Sequence, residues 1–336
     1  MKMSMNVSQA IDFCGKKILV TGGSGFIGTN LIEAICSTDD ISILNIDICP
    51  PKIDLHSKYW KKVDIRNMTA LAEVIDSFQP DYVFHLAART DLNGKTLLDY
   101  DSNHVGTKNV AEALTQSEFC GIALFASSMY VCIPGYQPKH ERDYCPHTIY
   151  GKSKVQSEAV LYELNPSFDW YIVRPTSIWG PWFGEPYKNF FDFVKSGKFL
   201  KIYASRCQRT YGFVDNAIFQ MLSIISSATT TNLSTKCFYL GDRQPYEINA
   251  WADEIAKLFG RRNFSLPQSA FRIMAAIGDL VIRLGGTFPM TSFRLVNMTT
   301  DNLLDLSPLN EVCPTDPVSR EEGNFITVEW ILRNST

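Results

Sequence analysis

At 336 residues, with 32 basic against 35 acidic side chains, the chain is long enough for one large core or two interlocked lobes. Its 45% hydrophobic content is that of an ordinary soluble globular protein, and no basic run is dense enough to make nucleic acid or a membrane its main partner. Nine scattered cysteines without a Cys-x-x-Cys pair read as reduced, buried thiols of a cytoplasmic protein and speak against a zinc site.

Residues 1–15 lack the apolar core of a signal peptide and read as a flexible leader. Lys17 to Val20 then form a short aliphatic run that breaks into Thr21-Gly-Gly-Ser-Gly-Phe-Ile-Gly28 and continues as the periodic stretch Phe26, Ile27, Leu31, Ile32, Ile35. That pattern predicts a buried strand, a tight turn and an amphipathic helix. Glycine lets the backbone N–H groups and the helix amino terminus approach a phosphate, and a dinucleotide pyrophosphate is the natural occupant. The spacing fits both Gly23-x-Gly25-x-x-Gly28 and the wider Gly22-x-x-Gly25-x-x-Gly28, and a ligand-free glycine turn also fits.

A second strand, Ile41 to Ile46, ends at Asp47, nineteen residues past Gly28. A carboxylate at that spacing meets the adenosine ribose hydroxyls and repels a 2′-phosphate, so NAD is preferred over NADP. A third strand ends in Val63-Asp64-Ile65, before a helix from Thr69 to Phe78. Tyr82 to Ala88 is a further buried strand, in which His85 reads as a packing residue and Ala87 and Ala88 leave room for a ligand. A helix over 97–116 and a strand from Gly121 to Ser128 follow, then a loop over 130–148. Tyr150 and Lys154 lie four apart on one face of the next helix, which runs to about Leu164. Alone, such a pair is equally an exposed surface feature.

Phe168 to Arg174 predicts a sixth strand, and Pro175 to Pro181 a loop. Beyond it the spacing predicts helices over 189–196, 216–227, 247–259, 268–284 and 291–297, and strands over 200–203, 211–214 and 238–240. The helix over 271–284 carries Arg272, Asp279 and Arg283 and is too short and charged to span a bilayer comfortably. The whole predicts an α/β fold: a Rossmann-type doubly wound parallel sheet over 16–180, and a smaller carboxyl-terminal substrate-binding lobe over 181–336. Segments around 211–240 are expected to return to the sheet. Ligands of such sheets bind beyond the carboxyl ends of the strands, where Gly22 to Gly28, Asp47, Asp64, Ala87, Ala88 and Ser128 all fall.

Taken together, Thr21 to Gly28, Val63-Asp-Ile65, His85-Leu-Ala-Ala88, Ser127-Ser128, Tyr150-Gly-Lys-Ser-Lys154, Arg174-Pro175 and the late segment Glu321 to Trp330 span most of the chain in order. With these the chain resembles the extended short-chain dehydrogenase/reductase superfamily, in its NAD-dependent epimerase/dehydratase branch. The resemblance implies that Tyr150 is the acid/base, that Lys154 lowers its pKa and holds the nicotinamide ribose, and that Ser128 bonds the reacting oxygen. It implies that Gly22, Gly25, Phe26, Ile27 and Gly28 line the NAD pyrophosphate, that Asp47 takes the ribose, and that Asp64 and Ile65 flank the adenine. Leu86, Ala87 and Ala88 would pack along the cofactor, with Ser127 and Pro175 near the nicotinamide.

For the substrate, Arg209 occupies the place of an arginine that contacts the diphosphate in nucleotide-sugar members, with Ser177 as a second candidate. Arginine's planar fork suits a diphosphate, although pairing with a local acid such as Asp215 is the structural alternative. Met129 and Tyr130 stand where 4,6-dehydratases carry an acidic pair, which disfavours a dehydratase. The expected activity is epimerisation of a nucleotide-linked hexose through transient oxidation at C4. Net reduction of a 4-keto sugar, oxidation of a hydroxysteroid-like alcohol, and non-catalytic NAD sensing are the alternatives. The resemblance also implies a homodimer formed by the helices around 95–117 and 150–164.

Overall fold

The computed structural model describes residues 11–119, 121–185 and 187–334. From the amino end the chain runs β1 (Lys17–Thr21), α1 (Phe26–Ile35), β2 (Ser42–Asp47), β3 (Trp60–Lys62), α2 (Met68–Phe78), β4 (Tyr82–His85) and α3 (Asp101–Gln116). It continues with β5 (Ile122–Ala126), α4 (Ile149–Leu164), β6 (Asp169–Pro175), β7 (Ser177–Trp179), α5 (Tyr187–Lys195), β8 (Leu200–Ile202), β9 (Gln208–Arg209) and β10 (Tyr211–Phe213). The remainder is α6 (Val214–Thr230), β11 (Cys237–Leu240), β12 (Tyr246–Glu247), α7 (Ile248–Leu258), β13 (Phe264–Leu266), α8 (Gln268–Arg283), α9 (Ser292–Thr299), α10 (Ser307–Val312) and α11 (Arg320–Arg333).

Seven strands form one parallel sheet in the order β11-β6-β5-β4-β1-β2-β3. Both faces are covered, so the strands read as near-continuous apolar runs. In β1, Ile18 and Val20 share one core with Leu31, Ile32 and Ile35 of α1 and with α6, while Leu19 faces the other core with Leu71, Val74 and Ile75 of α2 and Val110 and Leu114 of α3. Period-two strand geometry and period-3.6 helix geometry therefore settle which helix covers which face. Each such fully buried aliphatic side chain contributes roughly 1.5–3 kcal/mol. The strand order reverses between β1 and β4, which opens a crevice at their carboxyl ends.

The return to the sheet is made by α6, packed on α1, and by β11, whose Cys237 to Leu240 pair with Ile172 to Pro175 of β6. Much of the carboxyl-terminal half shares its core with the sheet. Trp179 touches the rings of Phe191, Phe213, Tyr246 and Trp251, and all of them belong to the same apolar cluster as Ile18 and Val20. A buried ion pair ties β6 to α4: Arg174 Nε donates to Glu158 Oε1 at 2.8 Å and its Nη2 to Oε2 at 2.6 Å. Breaking one partner of such a pair is far more harmful than its net worth suggests, so it locks α4 against the sheet.

Several boundaries differ from expectation. Of the expected leader, residues 1–10 lie outside the described residues, while Ile11 and Phe13 are buried, Phe13 against the Tyr82 ring at 5.5 Å. The third strand ends at Lys62, before Val63 to Ile65. Val63 and Ile65 are buried because they pack beneath α2 and α3, and a Cβ on Gly106 of α3 would lie 2.4 Å from Ile65 Cδ1. The expected loop after Pro175 contains β7, which pairs in parallel with β10. No helix among the described residues is long and apolar enough to cross a membrane.

Candidate active site

The glycine turn lies at the crevice. Gly22 has φ +72, and a Cβ there would sit 2.6 Å from Ala87 N, so only glycine lets the turn nest against the end of β4. Gly25 caps α1, so Phe26, Ile27 and Gly28 form the first turn and their N–H end faces the crevice. Asp47, at the end of β2, accepts Ser24 N at 3.1 Å and Cys49 N at 2.9 Å. Its carboxylate is thereby fixed beside the turn. Leu86 N donates to Thr21 O, and Ala87 N to Thr21 Oγ1, which holds Leu86 to Ala88 at the same edge. His85 is a packing residue between Thr21 Oγ1, at 2.7 Å, and Thr107 Oγ1, at 3.1 Å, and burial pushes it down to about 3.

Asp64 and Ile65 follow β3, the edge strand beside β2. Arg66 grips Asp64 through Nε and Nη2, and holds its carboxyl below the usual carboxylate range. Pro175 closes β6 in register with Leu240. Ser127, at the end of β5, is buried and its Oγ has no hydrogen-bond partner among the described residues. A buried hydroxyl of this kind awaits a polar partner.

Thr148 caps α4 by accepting Gly151 N, so Tyr150 and Lys154 open the helix on one face. Both are buried. Burial pushes the Tyr150 phenol up to about 12, and Ser128 beside it pulls the other way. Lys154 Nζ donates to Ala126 O at 2.8 Å, and burial brings it down to about 8. Burial is the largest influence on the Tyr150 phenol, and Ser128 is the neighbour that pulls it down. The ring of Tyr150 is wedged between Tyr100, at 6.0 Å, and Tyr130, at 6.2 Å.

Tyr130, expected only in place of a dehydratase acid, packs against Tyr150, while sequence reasoning missed Tyr187 and Tyr211 beside it. A Cβ on Gly151 would lie 2.2 Å from Tyr130 O, so the glycine that follows Tyr150 is what admits the 129–131 turn against α4. Tyr130 lies beside Tyr187, whose hydroxyl donates to Ser177 Oγ at 2.9 Å. Burial pushes the phenols of Tyr130, Tyr187 and Tyr211 up, and the charge of Arg209, which lies among them, only partly opposes this. It is 6% exposed and forms no salt bridge among the described residues. Its Nη2 donates to Thr300 O at 3.1 Å, while Nε has no hydrogen-bond partner, the Cys207 thiol lying alongside. Pairing with Asp215 is thus not what holds it. Ser128 with Tyr150, Tyr150 with Tyr130, Tyr130 with Tyr187 and Arg209, and Tyr187 with Ser177 are thus successive neighbours.

A sequence profile of the NAD dependent epimerase/dehydratase family matches residues 18–233. The chain belongs to that family. It is 30% identical over 213 residues to an N-acetyl-alpha-D-glucosaminyl-diphospho-ditrans,octacis-undecaprenol 4-epimerase of Escherichia coli O157:H7, over 60% of each chain. It is 26% identical over 274 residues to a UDP-glucuronate 4-epimerase of Thermodesulfobacterium geofontis, over 73% of this chain and 81% of the relative. Among solved structures, UDP-glucuronic acid 4-epimerase from Bacillus cereus in complex with NAD superposes with a TM-score of 0.72 at 19% identity, over 94% of this chain and 96% of that one. The match thus spans 60% of the first relative's length and most of the second's.

NAD is the cofactor of the family, and the crevice fits it. The cradle that a Gly22 Cβ would fill, the α1 amino terminus, the fixed Asp47 carboxylate and the unpartnered Ser127 hydroxyl stand where a dinucleotide would cross the switch point.

Proposed function

We propose that the protein is a 4-epimerase of diphosphate-linked hexoses, with nucleotide sugars as its main substrates. The observation that carries this reading is the chain of neighbours from Ser128 and Tyr150 to Arg209, a proton-transfer pair at one end and, at the other, a buried guanidinium that forms no salt bridge among the described residues. A diphosphate would supply the missing counter-charge through Arg209's paired donors. An apolar alcohol such as a steroid would offer that cation no direct partner, which weighs against the hydroxysteroid alternative. The names of the relatives as 4-epimerases support the same reaction.

When bound, NAD supplies a reversible two-electron acceptor and a positive ring charge. Gly22, Gly25, Phe26, Ile27 and Gly28 would hold its pyrophosphate, Asp47 its adenosine ribose, and Lys154 its nicotinamide ribose. Ser128 holds the sugar C4 oxygen beside Tyr150. Tyr150 removes the hydroxyl proton as C4 is oxidised and returns it when the 4-keto sugar is reduced on its other face. A phenol at about 12 is a poor base at neutral pH, so both cations, Lys154 and the nicotinamide ring, are needed to bring it into range. Met129 and Tyr130 offer no carboxylate to expel water, which supports epimerisation over dehydration.

Two outcomes test this reading. Incubated with UDP-hexoses and no added cofactor, the protein is expected to yield the C4 epimer by chromatography with no change at the NADH absorbance band. Stoichiometric consumption of NADH would point instead to a net reductase, and no turnover with any diphosphate sugar to a binding protein. Asp47→Gly is expected to erode the ratio of NADP to NAD dissociation constants by about tenfold or more, since it removes the charge that repels a 2′-phosphate. An unmoved ratio would take Asp47 out of the ribose site.

A further inference from the structure

The carboxyl-terminal lobe carries apolar surface and charge that this chemistry does not use. α8 buries Phe271, Ala275 and Gly278, yet turns a second apolar stripe, Ile273, Ala276, Ile277, Leu280 and Leu284, toward solvent. Ile273, Leu280 and Leu284 are 63%, 57% and 79% exposed. Their spacing of three and four residues puts them on one side of the helix. Arg272 and Arg283, eleven residues apart, lie together along one edge of the stripe. α9, joined to α8 where Ser292 N donates to Asp279 Oδ1, adds exposed Phe293 and Val296.

Charge is concentrated there too. Residues 261–296 hold five arginines (261, 262, 272, 283 and 294) and one acid, Asp279, a net of +4 in a chain whose total is −3. An exposed apolar stripe of this length is a liability unless something covers it. Edged by arginine, it complements an anionic bilayer, where the stripe enters the headgroup boundary and the guanidinium groups stay at the phosphates.

The patch also borders the candidate site. Phe293 stacks on His147 at 6.2 Å, His147 lies 5.7 Å from Tyr130, and Tyr130 is 6.2 Å from Tyr150. Thr300, directly after α9, accepts the hydrogen bond of Arg209. A substituent beyond a diphosphate held at Arg209 therefore starts next to α9.

We propose that α8 and α9 dock the protein on an anionic lipid bilayer, so that its pocket meets sugar diphosphates carried by a membrane lipid. The docking stands on the surface alone; the lipid-carried substrate rests on the diphosphate-sugar reading above.

Co-sedimentation of the full chain with phosphatidylglycerol–phosphatidylcholine vesicles tests it. The wild type is expected to sediment with these vesicles and to bind pure phosphatidylcholine vesicles more weakly. Ile277→Glu with Leu280→Glu is expected to weaken binding by about tenfold or more while leaving turnover of UDP-hexoses unchanged. Equal sedimentation of wild type and double variant, or none by either, would overturn the docking. So would a wild-type dimer that the double variant abolishes without any vesicle binding, since the stripe would then cover a second copy of the chain. Vesicle binding by a protein inactive on every diphosphate sugar would leave the docking standing and remove the proposed chemistry.

Discussion

Tyr150→Phe is expected to lower turnover by about 10²–10⁴-fold, the ordinary worth of a positioned acid/base, while NAD binding and folding stay close to wild type. The substitution removes one oxygen and keeps the ring that Tyr100 and Tyr130 hold from two sides. What is lost is a proton relay. In the folded protein burial holds the phenol near 12, and Ser128 is the neighbour that pulls it down. Ser128→Ala should therefore cost turnover in the same direction, because it removes both that pull and the group that fixes the reacting oxygen. Turnover of Tyr150→Phe within a few-fold of wild type would remove Tyr150 from the chemistry.

Arg209→Met is expected to separate stability from function. Arg209 is buried, has no acid partner among the described residues, and leaves Nε without a hydrogen bond. An uncompensated buried cation costs folding energy, so a methionine of similar length should leave the thermal midpoint of the protein without substrate unchanged or raised. Loss of the single bond to Thr300 O offsets this by only about 1 kcal/mol. Against a diphosphate sugar, the same change removes a charge-assisted double contact, and kcat/KM should fall by about 10²–10³-fold, chiefly through KM. A large drop in stability with an unchanged KM would make Arg209 a structural residue.

Most of the sheet was legible in the chain because each piece carries its own period. Lys17 to Gly28 shows a strand, a turn and a helix within twelve residues, and Tyr150 and Lys154 share a helical face by spacing alone. Elsewhere burial imitates periodicity. Val63 and Ile65 look like strand residues but pack under α2 and α3, just past the end of β3. β7 was hidden because its partner, β10, lies some thirty residues downstream, and no local pattern announces a pairing of three residues. The surroundings of Arg209 were less legible still. Tyr187 and Tyr211 are indistinguishable in the sequence from core aromatics, and tertiary packing alone brings them beside Arg209. Gly151 was the available signal for the Tyr130 turn: a glycine in the first turn of a helix, where one is costly, marks a backbone that must come close. The electrostatics of Tyr150 also lie beyond sequence reading, since spacing places Lys154 nearby but says nothing of the desolvation of either group.

The central claim is transient oxidation at C4 with return of the same hydrogen to the opposite face. A nucleotide hexose carrying deuterium at C4, incubated with the protein in ordinary water, tests it most directly. The account predicts the C4 epimer with its deuterium fully retained. Loss of the label to solvent, or labelled sugar recovered with its original configuration from every nucleotide hexose tried, would contradict it.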